Sequence, residues 1–259
     1  TMTSAAAVIA LTMAVWAESA PAVASDGRSA RHRSSERFEM ILRHLASLNN
    51  TSIVLASGSP RRKEILSNIG VVFNVVKSKF EEDLHKQNYD GAAAYAQATA
   101  WMKAKDVCEN WDCSELGPIP DVIISADTVV ESDSGEILEK PADKSEATRM
   151  LQALSNGKSK VHTGVALLAP KVPRQGGAIY GKSFSETTKV EFAELSLAEI
   201  EAYVATGDPF DKAGGYGIQG TAGVFIRGIV GDYFNVMGFP VHAFAREIES
   251  MVPPILEHA

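Results

Sequence analysis

The chain has 259 residues, 45% hydrophobic and 22% charged, which is enough to bury one large core or two lobes and is not the composition of a disordered chain. Its formal net charge of −7 argues against a nucleic-acid backbone as the main partner, so any anionic ligand must be met by a local basic cluster. No apolar run reaches the roughly 20 residues of a membrane span, and Cys108 and Cys113 lack the further Cys or His of a tetrahedral zinc site, so they read as reduced thiols.

Residues 5–17, AAAVIALTMAVWA, followed by APAVAS, have the apolar core and small-residue stretch of a secretory signal, although no positive charge precedes them. DGRSARHRSSER comes next and is rich in Ser and Arg. The stretch reads either as a signal followed by a transit segment or as upstream sequence before a start at Met40. On both readings residues 1–48 are an extension and the fold occupies 49–259. The protein is then expected in the cytoplasm, or in a plastid or mitochondrion if the extension is a targeting segment.

Ile53 to Ala56 is a short apolar strand, Ser57-Gly58-Ser59-Pro60 breaks it, and Ile65, Leu66 and Ile69 follow at helical spacing. Val71 to Lys77 reads as a second strand, Ala92 to Glu109 as a long helix, and Asp121 to Ala126 as a strand that ends at Asp127-Thr128. A hairpin through Asp133-Ser134-Gly135 leads to Glu139-Lys140-Pro141. A helix at Ser145 to Leu154, a strand at Val161 to Leu168 and an alternating strand in FSETTKVEFAEL come next. A helix at Leu197 to Ala205, a glycine-rich loop at Asp211 to Gly223, a β segment VFIRGIVG and a helix at Val241 to Ser250 close the chain. Strands and helices interleave, which predicts an α/β protein with a mixed central sheet flanked by helices.

The strand, glycine loop and Pro-initiated helix at Ser57 to Arg62 form a phosphate seat, with free backbone N–H groups and two arginines for phosphate oxygens. An ordinary capped helix start carries the same pattern. Asp127, placed at a strand end, suits a hard metal or a water that must lose a proton, and Thr128 a base or sugar. Lys140 is positioned by the hairpin as a point charge for a polyphosphate, or lies exposed. Glu81, Glu82 and Asp83 form either a solvated face or a source of a second magnesium carboxylate. GYGIQG matches the dinucleotide-binding pattern G-x-G-x-x-G, but it follows a helix and precedes a β segment, which is the wrong context. Its Gln219 can offer both a donor and an acceptor to a base edge. His162 on a strand flank reads as structural, since nothing near it in sequence completes a triad.

Taken in order, LASGSPRRKEIL, SADTVV, ILEKP, HTGVAL, GDPFDKAGGYGIQG and DYFNVMGFP resemble the Maf family of nucleoside triphosphate pyrophosphatases, and the resemblance covers roughly residues 52–248. It implies an α/β fold with a cleft between two lobes, like that of inosine-triphosphate pyrophosphatases, and often a homodimer. It implies hydrolysis of dTTP and UTP to the monophosphate and pyrophosphate, with 7-methyl-GTP hydrolysis or a non-catalytic regulator of cell division as alternatives. Asp127 takes the place of the proton acceptor, and Arg61, Thr128 and Gln219 the places tied to substrate choice. Ser57, Arg62, Glu82, Lys103 and Lys140 align with further polar groups of the family's cleft. A magnesium or manganese ion held by Glu82 and Asp127 completes this expectation, with a nucleoside triphosphate as the sole partner besides a second subunit and neither nucleic acid nor membrane bound.

Overall fold

The apolar run at Ile53 forms strand β1 (Ile53–Leu55), buried along its whole length. Ser59 then caps helix α2 by accepting from the Arg62 N–H, with Pro60 in the first turn, where its missing N–H is harmless. The computed structural model describes residues 41–174, 176 and 178–259, so residues 1–40 of the expected extension lie outside the described residues. Within them the chain alternates β2 (Asn74–Val75), β3 (Val122–Glu131), β4 (Ile137–Leu138), β5 (Lys158–Ala169), β6 (Tyr180–Phe192) and β7 (Ile226–Val230) with helices. The helices are α1 (Leu45–Leu48), α2 (Pro60–Asn68), α3 (Gly91–Glu109), α4 (Cys113–Leu116), α5 (Lys144–Leu154), α6 (Leu197–Ala205), α7 (Tyr233–Met237), α8 (Val241–Glu249) and α9 (Val252–His258).

The seven strands make one mixed sheet in the order β2-β1-β3-β5-β6-β7, with β4 paired to β3. β1 runs parallel to β2 and β3, and the remaining pairs are antiparallel. Helix α3 lies on one face, and its buried Ala96, Ala100 and Ala104 let it approach closely. A Cβ on Gly164 would sit 2.4 Å from the Ala96 carbonyl, so a glycine in β5 is what admits the helix backbone.

Leu55, Leu66, Ile124, Phe239 and Phe244 belong to one core cluster, and Leu151, Phe192, Tyr203 and Phe225 to another, packed against opposite ends of β3, β5 and β6. This is the form the two expected lobes take. Three sequence expectations need correction. Ile41 and Leu48 are 5% and 1% exposed within the first cluster, so the fold already includes residues 41–48. The second strand shrinks to Asn74–Val75, whose side chains are both exposed and gain little from further pairing. β3 does not stop at Asp127 but runs on to Glu131, because β5 pairs with it along that whole length. Helices α1, α4, α7 and α9 fall outside the elements that the sequence predicts. No helix among the described residues is long and apolar enough to cross a membrane.

Candidate active site

β3 outruns its neighbour. Parallel pairing with β1 ends where Leu55 meets Ile124, and antiparallel pairing with β4 begins only at Val130. The edge of β3 between these points carries no partner strand. Asp127 and Thr128 point to opposite faces of the strand, yet both line the cleft that opens at this gap. The sequence placed Asp127 at a strand end; it lies instead inside a strand whose neighbour has ended.

The cleft gathers every side chain proposed from sequence: Ser57, Arg61 and Arg62 from the β1–α2 turn, Glu82, Lys103 from α3, Asp127, Thr128, Lys140 and Gln219. Lys77, Asp211 and Lys212 also line it and were not singled out. Against a net charge of −7 for the chain, Arg61, Arg62, Lys77, Lys103, Lys140 and Lys212 outnumber Glu82, Asp127 and Asp211 here. That local excess is what a polyphosphate requires.

Asp127 is 7% exposed, and the Lys103 ammonium donates to its Oδ1 at 2.7 Å while lying 2.8 Å from Glu82 Oε1. Ala96 and Lys103 are two helical turns apart on α3, so the close seating of that helix at Gly164 carries Lys103 over the carboxylate. Burial pushes the Asp127 carboxyl above the usual carboxylate range, with Lys103 and Arg62 pulling the other way. Burial acts the same way on Glu82, but there Lys103, Lys140 and Arg62 outweigh it and hold the group low. Glu81 and Asp83 are exposed and do not line the cleft, so the acidic run is divided between solvent and site.

Arg62 is fixed entirely by neutral acceptors. It donates to the Gly238 carbonyl at 2.9 Å, to Ser57 Oγ at 3.1 Å and to Thr128 Oγ1 at 3.0 Å. Thr128 Oγ1 also lies 3.0 Å from Thr163 Oγ1, which donates to the Asn235 carbonyl. The Thr128 hydroxyl is thus engaged in holding an arginine. Arg61 differs, donating to the carboxylate and the carbonyl of Asp211 at 2.8 and 2.9 Å. Among the described residues the Lys77 and Lys140 ammonium groups make no hydrogen bond or ion pair.

The glycine-rich loop forms the other wall. Gly214, at φ +67°, packs its α-carbon on Val130, and its N–H donates to the Glu139 carbonyl at 3.0 Å. After GYGIQG the chain makes a short 3₁₀ helix, Thr221–Phe225, and enters β7, without the start of a long α-helix that a dinucleotide site needs. Gln219 is exposed along the cleft. His162 lies outside it, with Nδ1 2.9 Å from Thr187 Oγ1 and Nε2 3.2 Å from Glu131 Oε2, which is the structural role expected of it.

No group of three His, Cys, Asp or Glu residues among those described could cage a metal alone. The carboxylates of Glu82 and Asp127 do converge on a single point, now held by the Lys103 ammonium. Two hard oxygen donors facing one cationic position fit a magnesium-type ion whose shell is completed by substrate phosphates and water.

Residues 52–251 match the model of a family described as Maf-like protein. A human protein named "Probable bifunctional dTTP/UTP pyrophosphatase/methyltransferase protein" is 43% identical over 210 residues, 81% of this chain but only 34% of the human one. A Bacillus anthracis protein named dTTP/UTP pyrophosphatase is 41% identical over 197 residues, covering 76% of this chain and 94% of its own. A Bacillus cereus protein of the same name is 40% identical over 212 residues, covering 81% and 96%.

Proposed function

The chain belongs to the Maf-like family, and on that premise we propose that it is a nucleoside triphosphate pyrophosphatase hydrolysing dTTP and UTP to the monophosphate and pyrophosphate. The observation that carries this reading is the gap in the sheet beside Asp127, where a buried carboxylate faces a concentration of cationic side chains. Arg62, Lys77 and Lys140, which make no ion pair with a carboxylate, are the groups available to the phosphates. Lys103 fixes Glu82 and Asp127 relative to each other.

Asp127 takes a proton from the water whose oxygen attacks the α-phosphorus. The bond from that phosphorus to the oxygen bridging to the β-phosphorus breaks, and pyrophosphate leaves with the electron pair. The raised proton affinity that burial gives Asp127 suits this task near neutral pH. With magnesium or manganese present, Glu82 and Asp127 would hold the ion in place of the Lys103 ammonium that now bridges them, and it would supply charge neutralisation and polarisation of the α-phosphate. Gln219 reads the pyrimidine edge through its amide donor and acceptor.

The test is pyrophosphate release from dTTP, UTP, CTP, ATP, GTP and 7-methyl-GTP with magnesium. Turnover concentrated on dTTP and UTP is the expected result. Preference for 7-methyl-GTP would move the assignment to that substrate, and binding without any hydrolysis would make the chain a nucleotide-binding regulator.

A further inference from the structure

Asp211 has every oxygen it offers to the cleft engaged. Its Oδ2 accepts from Arg61 Nη1 at 2.8 Å, its carbonyl from Arg61 Nη2 at 2.9 Å, and its Oδ1 from the Lys212 ammonium at 2.7 Å. A guanidinium bonded through two nitrogens to one residue has its plane fixed, which a single contact would not achieve.

Lys212 is itself held firmly. Its side chain is 10% exposed, and its ammonium donates to the Asp208 carbonyl at 2.6 Å and to Asp208 Oδ1 at 2.8 Å. Its stem lies against Gly217, where an added Cβ would come within 2.6 Å of the Lys212 Cε. Asp208 in turn accepts from the Tyr203 hydroxyl at 2.8 Å, and the Tyr203 ring packs edge-on to Phe225 within the core. A continuous chain of contacts therefore runs from the core through Asp208, Lys212 and Asp211 to Arg61 on the opposite wall of the cleft.

We propose that Asp211, clamped by Lys212, is the positioning residue that fixes the Arg61 guanidinium in the cleft before the nucleoside triphosphate arrives. This inference rests on the pyrophosphatase reading. The Asp211 side chain is 56% exposed, so its replacement reports on Arg61 rather than on the core.

The test is a double-mutant cycle in the full chain with Arg61→Ala, Asp211→Ala and the combination. It is read both as kcat and KM for dTTP and as Kd for α,β-methylene-dTTP, which cannot be cleaved at that bond. Loss of a charge-assisted contact predicts that each single variant loses about tenfold or more in affinity, with the effect in KM rather than kcat. The combined variant falls no further than either single one, because both remove the same interaction. Lys212→Arg keeps the clamp and Lys212→Met behaves like Asp211→Ala. Losses that multiply in the double variant, or an Asp211→Ala protein with wild-type KM and Kd, would overturn the proposal. Should the wild type hydrolyse no nucleotide, the pyrophosphatase reading fails, while the Kd cycle still decides the positioning role.

Discussion

β3 carries two acid–lysine arrangements on the same face, one buried and one partly exposed, and only the buried one has the makings of a site. Asp127 is paired with Lys103 at 2.7 Å and Glu131 with Lys160 at 2.6 Å. Burial drives Asp127 above the usual carboxylate range, whereas the hydrogen bond and charge of Lys160 hold Glu131 below it. What separates them is the neighbourhood. Glu131 lies where β4 and β5 both pair with β3, and it is bonded to His162 and Lys160 across the strands. Asp127 lies where β1 has ended and β4 has not begun, so its carboxylate meets an open cleft. Residue types do not make the site; the missing neighbour strand does.

The sharpest way to break this comparison is to neutralise each member in turn. Asp127→Asn is expected to lower kcat for dTTP by about 10²- to 10⁴-fold, the range for loss of a general base, while Glu131→Gln, outside the cleft, leaves kcat unchanged in the same steady-state assay. Gly164→Ala comes next. Its methyl group meets the Ala96 carbonyl at 2.4 Å, so α3 must move and Lys103 with it. Denaturant unfolding should show a loss of about 1–3 kcal/mol, as for overpacked cores, together with reduced turnover.

The smallest effect concerns the closed cluster. Burial lowers the His162 pKa against the pull of Glu131, so the unfolded chain binds more protons than the folded one below the ordinary value of 6.5. Stability from this group is present above that pH and is lost as pH falls through and below it. His162→Gln should flatten that part of the stability profile, and an unchanged slope would show that other groups set it.

The elements that build themselves from local sequence were legible. Ser59 and Pro60 start α2 by capping and fixed φ, and the alternation of Val190 and Phe192 against Lys189 and Glu191 marks the buried face of β6. The end of β3 was misjudged because Asp-Thr reads as a turn, whereas the partner that keeps Asp127 in a strand is β5, whose pairing no local pattern reveals. Lys103 carries little motif of its own and comes only by resemblance, and the acidic run does not tell Glu82 from Glu81 and Asp83; the meeting of Glu82 and Lys103 depends on how α3 seats on Gly164. Asp211 and Lys212 stood in a quoted motif without a role. Their signal was the spacing of Asp208 and Lys212 on one turn, but the Arg61 partner lies in a distant segment and only the fold joins them.

The central claim is attack of water on the α-phosphorus at the gap beside Asp127. Hydrolysis of dTTP in ¹⁸O-labelled water, with the products resolved by mass spectrometry, tests it most directly. Attack at the α-phosphorus puts one labelled oxygen in the thymidine monophosphate and none in the pyrophosphate. Label in the pyrophosphate, or release of orthophosphate and a diphosphate instead, would contradict it.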